Sequence, residues 1–149
     1  MTRWLSEQEQ QTWQAFIRMR QRLDAALSAG LAGHGLSMAD YELMVPLSAA
    51  PEGCLRARDL AAEVCWDKSR LSKQLARMAA RGLVDRAAAA DDARGIVVTL
   101  TDHGREVLRA AAPEHVDLVR KLFVDNMTRQ EAAALRSLSE KVASAVEQS

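Results

Sequence analysis

Residues 67–81 carry side chains whose types and spacing suit contact with a polyanion. On a helix of about 100° per residue, Leu71, Leu75 and Met78 fall on one narrow face, which we expect to be buried. The opposite face has cations, hydroxyl groups and alanines but no carboxylate: Ser69, Ser72, Lys73, Ala76, Arg77 and Ala80, with Arg70 at its edge. Arginine can bridge the two acceptors of a guanine edge, while lysine and hydroxyl groups suit phosphate or base contacts. The segment therefore predicts a helix that enters the major groove of DNA.

Positive charge is concentrated in this segment. The whole chain of 149 residues has a formal net charge of zero, because 20 Lys and Arg balance 20 Asp and Glu. Residues 67–81 contain five cations and one carboxylate, Asp67, and so have a net charge of +4. The cations are Lys68, Arg70, Lys73, Arg77 and Arg81. A solvated surface helix is the alternative interpretation, and the exposure of Gln74, at the boundary of the two faces, stays open.

A predicted β-hairpin supplies a second group of candidate contacts. Residues 83–86 and 96–100 are expected to be strands, joined by a long, flexible and charged loop. Arg94 in this loop suits a narrow minor groove, where the potential is most negative. Asp92 can hold the part of Arg94 nearest the backbone, so that its guanidinium points outward, or Asp92 can pair with Arg86 instead. An ordinary polar turn is the alternative interpretation.

Capping residues divide the first half of the chain into helices. Ser6 and Glu9 form a capping box at the start of a first helix, which a glycine-rich stretch at residues 30–35 ends. Ser37 and Asp40 cap a second helix, where Pro46 should cause a kink or an early end. After a turn at residues 51–53, a short helix at 59–64 leads by a tight connection into the basic helix. This is helix-turn-helix order.

Capping residues also set the ends of the basic helix and the starts of the last two helices. Asp67 caps this helix at its start, and Gly82 is a favourable residue just past its end. Beyond the hairpin, Thr101 caps a helix that Pro113 should bend. Thr128 and Glu131 form a capping box at the start of the last helix.

The terminal helices carry apolar stripes that are longer than one small DNA-binding lobe can cover. The stripes consist of Val107, Leu108, Ala111, Val116, Val119, Leu122, Phe123 and Met127, and of Leu135, Leu138, Val142 and Val146. A second copy of the chain is the economical cover for such surfaces, which predicts a homodimer. The alternative is that these helices fold back on their own chain.

The chain resembles the MarR family of winged helix-turn-helix regulators in its whole element order, most specifically over residues 56–108. The matching segments are RDLAAEV, DKSRLSKQLARMAARGLVDR and DDARGIVVTLTDHG. The last of these is similar to a family pattern of D-x-R, an alternating strand and L-T-x-x-G, matched by Asp92, Arg94, Leu100, Thr101 and Gly104. Many relatives have a further arginine where this chain has Ala93, so we expect reduced wing affinity. Pro46 is a second departure from the family.

The resemblance implies a mainly α fold with a small β-hairpin wing, in the α+β class. It implies one domain over 1–149, with dimerisation helices at 1–35 and 105–149 around a DNA-binding lobe at 37–104. The recognition helix would be 67–81 and the wing 83–100. The implied function is that of a homodimeric repressor, released by a small ligand, on a pseudo-palindromic double-stranded operator. By position, the DNA contacts would be Lys68, Ser69, Arg70, Ser72, Lys73, Arg77 and Arg94, with Arg86 and Asp92 supporting the wing.

A ligand site between the dimer body and the DNA-binding lobe is a further implication of the resemblance. The candidates to line it are Trp13, Arg20 and Tyr41, and the ligand would be a small aromatic or phenolic compound. Ordinary core and interface packing is the alternative, which we favour because aromatic residues at helical spacing are usually structural.

A thiol-based redox sensor of the same fold is the alternative function. Cys65 lies close to the helix start at Asp67, an environment that favours reactive thiolates, and Cys54 lies in a turn. Peroxide-sensing relatives carry their reactive cysteine in the first helix, where this chain has none. We therefore favour two buried, inert thiols in a reducing compartment.

Other functional classes have little support. His34, His103 and His115 share no ligand spacing, so we expect no metal and no cofactor. No nucleophile motif, Gly-rich phosphate loop or pair of acids points to an enzyme. No segment has the order of a signal peptide, and no apolar run approaches the roughly 18 residues of a membrane span. We expect a cytoplasmic protein without a membrane partner.

Overall fold

The computed structural model describes residues 1–149 apart from the side chain of residue 93. The expectation about Ala93 therefore lies outside the described residues. The fold is mainly helical with a small antiparallel sheet, which confirms the predicted class. Its elements are α1 (Glu7–Ala32), α2 (Met38–Ala49), β1 (Cys54–Arg56), α3 (Ala57–Val64), α4 (Lys68–Ala80), β2 (Val84–Ala89), β3 (Asp92–Leu100), α5 (Asp102–Leu122) and α6 (Arg129–Glu147).

Side-chain caps begin the helices at the predicted places. The Ser6 hydroxyl accepts from the Glu9 N–H at 3.2 Å, and the Glu9 carboxylate accepts from the Ser6 N–H at 2.7 Å. The equivalent box at Ser37 and Asp40 begins α2. Each box satisfies two N–H groups that a helix start leaves free. These contacts explain why α1 and α2 begin where the sequence indicates.

The later helices use simpler caps. The hydroxyl of Thr101 accepts from the N–H of Gly104 at 2.9 Å at the start of α5. At the start of α6, the hydroxyl of Thr128 accepts from the N–H of Glu131 at 3.1 Å. The predicted box at α6 is only half formed, because the Glu131 carboxylate accepts from the Thr128 hydroxyl itself, at 3.2 Å.

Glycine ends α4. Gly82 has φ +73°, a conformation that costs a residue with a Cβ about 1–2 kcal/mol. This turn lets the N–H of Gly82 donate to Ala79 O and the N–H of Leu83 donate to Met78 O, each at 3.0 Å. The pair of bonds is the Schellman motif. It stops the helix just before the first strand of the hairpin.

The hairpin differs from its prediction. Its strands reach Ala89 and resume at Asp92, so the expected long loop between residues 86 and 96 is wrong. Ala87 and Ala88 pair with Val97 and Ile96 in the ladder, with a register shift after Ala88. Alanine has low strand propensity, but its backbone groups still satisfy the ladder. Pairing with β3 therefore extends the wing almost to its tip.

Two further features of the first half differ from expectation. Helix α2 continues through Pro46 to Ala49, so an early end there is wrong. Leu43, Met44 and Leu47 of this helix are fully buried, and this burial outweighs one missing hydrogen bond. Strand β1 was not predicted, because three residues are too few to show a period. It pairs antiparallel with β3, which gives the sheet order β1-β3-β2.

The chain divides into two compact units, Met1–His115 and Val116–Ser149. The first contains the hydrophobic core, in which Leu31, Leu60, Met78, Val84 and Val98 are almost completely buried. In the second, none of the described residues is buried within the single chain. No helix among the described residues has both the length and the apolar character needed to cross a membrane.

Candidate nucleic-acid interface

Helix α4 exposes the face that the sequence predicts. Its apolar stripe of Leu71, Leu75 and Met78 is at most 3% exposed. The side chains on the other face are all exposed: Ser69, Arg70, Ser72, Lys73, Ala76, Arg77 and Ala80. Lys68, at the first position of the helix, is exposed as well. The predicted division of the helix into two faces is confirmed, and the exposed face has cations and hydroxyl groups without a carboxylate.

The start of α4 is fixed by a cap and by an aromatic contact. The Asp67 carboxylate accepts from the N–H of Arg70 at 2.8 Å. The guanidinium carbon of Arg70 lies 3.8 Å from the ring centre of Trp66, a side chain that is 8% exposed. Sequence reasoning missed this contact, although a separation of four residues between the two was a usable signal. The geometry is that of a cation–π pair.

A buried polar network connects α4 to the start of α2. Asp40 is 1% exposed, and Gln74 is 5% exposed, which resolves the open question about Gln74. The Asp40 carboxylate accepts from Gln74 Nε2 at 2.6 Å and from Arg81 Nη1 at 2.7 Å. Arg77 Nη2 donates to Gln74 Oε1 at 2.7 Å. The sequence placed Arg77 and Arg81 among the cations of α4 but gave no sign of this shared partner.

The two acids at the tip of the wing, Asp91 and Asp92, have different partners. Arg94 and Arg86 are exposed. The Asp92 carboxylate accepts from the backbone N–H of Arg94 at 2.9 Å, so it holds the backbone of that residue. Among the ion pairs of the described residues, Arg86 and Asp92 do not form one. The carboxylate of the neighbouring Asp91 pairs instead with Arg56 of β1.

A cavity of about 410 Å³ lies between α3, α4 and the hairpin. Its apolar lining is Ala57, Ala61, Leu71, Leu75 and Ile96, and its polar lining is Arg56, Arg58, Lys68, Ser72, Arg86, Asp92 and Arg94, with Gly95. The structure thus brings Lys68 and Ser72 of α4 close to Arg86 and Arg94 of the wing. The cations surround an apolar lining, which suits an anion that has an apolar body.

The three candidate ligand residues lie in different settings. Trp13 lines a shallow groove along α1 that neither Arg20 nor Tyr41 lines. Arg20 is exposed. The ring centre of Tyr41 lies 4.3 Å from that of His115, and burial raises the pKa of this tyrosine. The contacts of Tyr41 are those of packing, in line with the alternative that the sequence favoured.

Neither cysteine is part of a disulfide. Cys65 is exposed, so the expectation that both thiols are buried is wrong for this residue. It ends α3 in the left-handed conformation, with φ +56°. Cys54 is half-buried, with Sγ 3.2 Å from the hydroxyl of Thr99. Within the described part of the chain, no cluster of three or more His, Cys, Asp and Glu side chains could hold a metal ion.

Comparisons with known proteins agree with this geometry. The model of the MarR family matches residues 34–95. AbsC, a MarR family transcriptional regulator from Streptomyces coelicolor, is 36% identical over 99% of this chain and 100% of its own, with a TM-score of 0.95. Sco3205, a MarR family transcriptional regulator from the same organism solved in complex with DNA, is 36% identical over 96% and 90%, with a TM-score of 0.92.

A third solved structure extends the comparison to another organism. A mutant MarR from E. coli, complexed with operator DNA, is 25% identical over 87% of this chain and 91% of its own, with a TM-score of 0.78. The comparison with curated proteins gave no match. The identity and the near-complete coverage of the Streptomyces structures show that this chain belongs to the MarR family, whose members are transcriptional regulators rather than enzymes.

Proposed function

We propose that the chain acts as a homodimeric repressor that binds a pseudo-palindromic operator in double-stranded DNA. Helix α4 occupies the major groove, and the tip of the hairpin enters the adjacent minor groove. The observation that carries this proposal is the exposed face of α4, which has cations and hydroxyl groups and no carboxylate. The DNA complexes of Sco3205 and of the E. coli MarR mutant support it.

Each contact residue has a role that follows from its chemistry. Arg70 and Arg77 recognise guanine edges, because a guanidinium can donate to both acceptors at once. Lys68 and Lys73 contact phosphates, and Ser69 and Ser72 contact phosphate or base edges. The small side chains of Ala76 and Ala80 allow close approach of the helix. At the wing, Arg94 enters the minor groove, Asp92 holds its backbone, and Arg86 supports the hairpin.

The apolar surface that stays uncovered in Val116–Ser149 supports a dimer. None of the described residues in Val116–Ser149 is buried. Three apolar residues of one stripe, Leu138, Val142 and Val146, are 58%, 53% and 69% exposed. A helix with such a stripe gains little stability alone and needs a partner. We propose that residues 1–35 and 105–149 of two copies provide this cover within one MarR-type domain, leaving 37–104 as the DNA-binding lobe.

A small aromatic acid is the effector that the lining of the 410 Å³ cavity favours. Its ring would lie against Leu71 and Ile96, and its carboxylate would meet the surrounding cations. Because Lys68 and Arg94 line the cavity and also contact DNA in this proposal, ligand and operator compete for them. The site at Trp13, Arg20 and Tyr41 has less support, since these residues lie in separate settings.

A redox sensor is the second candidate function, and the exposure of Cys65 favours it. The thiol lies two residues before Asp67, the cap of α4. Oxidation of this thiol by a peroxide would place a new polar group at the start of the recognition helix. The experiment is operator binding before and after peroxide treatment of the wild type and of the C65S variant. A loss confined to the wild type supports the sensor, and equal binding throughout removes it.

The test of DNA binding starts from a random-sequence library of duplexes. Selection with the wild-type protein should recover a pseudo-palindrome, with half-sites about 34–36 Å apart along the helix axis. Arg94→Ala should weaken binding to the selected duplex with little change in sequence preference, whereas Arg109→Ala on α5 should not. Placing the duplex over a reporter promoter tests repression. Failure to enrich any sequence would overturn the proposal.

A further inference from the structure

The carboxylate of Asp40 has its hydrogen-bonding capacity divided between two elements. Its Oδ2 accepts from the backbone N–H of Ser37 at 2.9 Å and from Arg81 Nη1 at 2.7 Å. Its Oδ1 accepts from Gln74 Nε2 at 2.6 Å. Asp40 is 1% exposed, and a buried charge needs such partners to offset its loss of hydration. The same carboxylate therefore caps α2 and fixes a side chain of α4.

This arrangement dictates the orientation of the Gln74 amide. An ionised carboxylate only accepts hydrogen bonds, so Gln74 must turn its NH2 group toward Asp40. Its carbonyl oxygen then faces away from Asp40, where it accepts from Arg77 Nη2 at 2.7 Å. Arg77 is exposed on the face of α4 that we assign to DNA. The guanidinium of Arg77 is thus held by Gln74, and the buried carboxylate of Asp40 determines the orientation of the Gln74 amide.

We infer that Asp40 is a positioning residue which, through Gln74, orients Arg77 for base recognition, and so contributes to operator specificity without touching DNA. This inference rests on the proposed function, because it requires that Arg77 contact the operator. An arginine held in one geometry loses less conformational entropy when it donates to a guanine edge. Preorganisation therefore favours the base that matches this geometry over the others.

An isosteric substitution has a defined consequence in this network. In Asp40→Asn, the side-chain oxygen must stay at the Oδ2 position, because two donors converge there. The new NH2 group then takes the Oδ1 position and faces Gln74. The Gln74 amide has to rotate by half a turn to accept from it, which directs its own NH2 group at the donors of Arg77. The guanidinium is released, while the volume of the buried side chain hardly changes.

The experiment measures the affinity for the duplex selected by the wild-type protein and for its single-base variants. We expect Asp40→Asn to weaken binding by about three- to tenfold, the scale of one intramolecular hydrogen bond. The loss should fall at the same base positions as the loss in Arg77→Ala. In the Arg77→Ala background, Asp40→Asn should have no further effect, because its path to the DNA has been removed. Glu42→Gln, an exposed change on the same helix, is the matched control.

A second variant tests the same path if Asp40→Asn lowers the folded population. Gln74→Met removes the partner of Arg77 while Asp40 keeps Ser37 and Arg81, and it should give the same base profile. An equal loss from Asp40→Asn with and without Arg77 would overturn the inference alone, since it indicates a general structural role. Unchanged binding in Arg77→Ala would overturn both the inference and the proposed contact of this residue with DNA.

Discussion

The guanidinium carbon of Arg70 lies 3.8 Å from the centre of the Trp66 ring, at the start of the helix that we assign to the major groove. The planar guanidinium can stack on an indole, whereas an ammonium group cannot keep the same geometry. Arg70→Lys keeps the charge but loses both this stacking and the two-donor contact with guanine, so we expect it to weaken binding to the selected operator by about fivefold or more. Arg109→Lys on α5 is the control, and equal affinity of Arg70→Lys and the wild type would contradict both the stacking and the guanine contact of this residue.

Lys73 should contribute to the salt dependence of the affinity for the operator. A lysine that contacts a phosphate releases about one counterion on binding, so Lys73→Ala should reduce the slope of log K against log salt by about 1. The measurement is a series of operator titrations at different salt concentrations. Lys141→Ala removes an exposed charge from α6 and should leave the slope unchanged. An unaltered slope in Lys73→Ala would mean that this residue does not contact a phosphate.

Gly104 should tolerate no side chain. A Cβ at this position would meet the carbonyl oxygen of Leu83 and lie 2.9 Å from Leu100 Cδ1, so the start of α5 would have to move away from the hairpin. We expect Gly104→Ala to lower the free energy of unfolding by about 1–3 kcal/mol, the usual cost of overpacking. Thermal or urea denaturation measures this change. Gly33→Ala, at φ −62°, is the control, and comparable stability of both variants would refute the expected clash.

Leu138 should be essential for association. It is 58% exposed in the single chain and lies on the apolar stripe of α6. Leu138→Asp would place a carboxylate in the proposed interface, where it has no described partner and cannot stay hydrated. We expect the molar mass from light scattering to fall toward that of a monomer. Ser144→Asp, on the opposite face of α6, should remain a dimer, and a dimeric Leu138→Asp would argue against this interface.

His115 should make stability sensitive to acid. Burial lowers the pKa of its imidazole, and its Nδ1 atom is buried with no hydrogen-bond partner in the described structure. The unfolded chain therefore binds a proton at a higher pH than the folded chain does. The stability contribution is complete above the unfolded pKa, near 6.5, and is lost as the pH falls below it.

The corresponding variant is His115→Gln, which cannot titrate. Its melting temperature should fall less than that of the wild type between about pH 7.5 and pH 5.5. Tyr41, whose ring lies against that of His115, stays neutral over this range, because the ordinary pKa of tyrosine is near 10 and burial raises the pKa of Tyr41 further. His103→Gln, at an exposed position, is the control. Parallel melting curves for His115→Gln and the wild type would count against the burial effect.

The sequence predicted those parts of the site that depend on local spacing. The faces of α4 follow from helical periodicity, and its ends follow from a local start signal, Asp67, and a local stop signal, Gly82. The partner of Gln74 could not be predicted in this way, because Asp40 lies 34 residues earlier and meets it only when α2 packs on α4. The prediction of a long loop at the wing tip was wrong, because the strand conformation of Ala87 depends on its pairing with β3 and not on the low strand propensity of alanine.

The unit Val116–Ser149 has a consequence for gene dosage. None of its described residues is fully buried in a single chain, so under the proposed dimer a newly made copy would keep this segment exposed to water until it meets a second copy. Pairing follows mass action, and the paired fraction rises with the amount of protein synthesised. Unpaired copies present a poorly protected substrate to proteases. Doubling the expression of such a regulator would thus more than double the amount of its dimer. The response of a promoter under its control would be steeper than proportional to the amount of regulator.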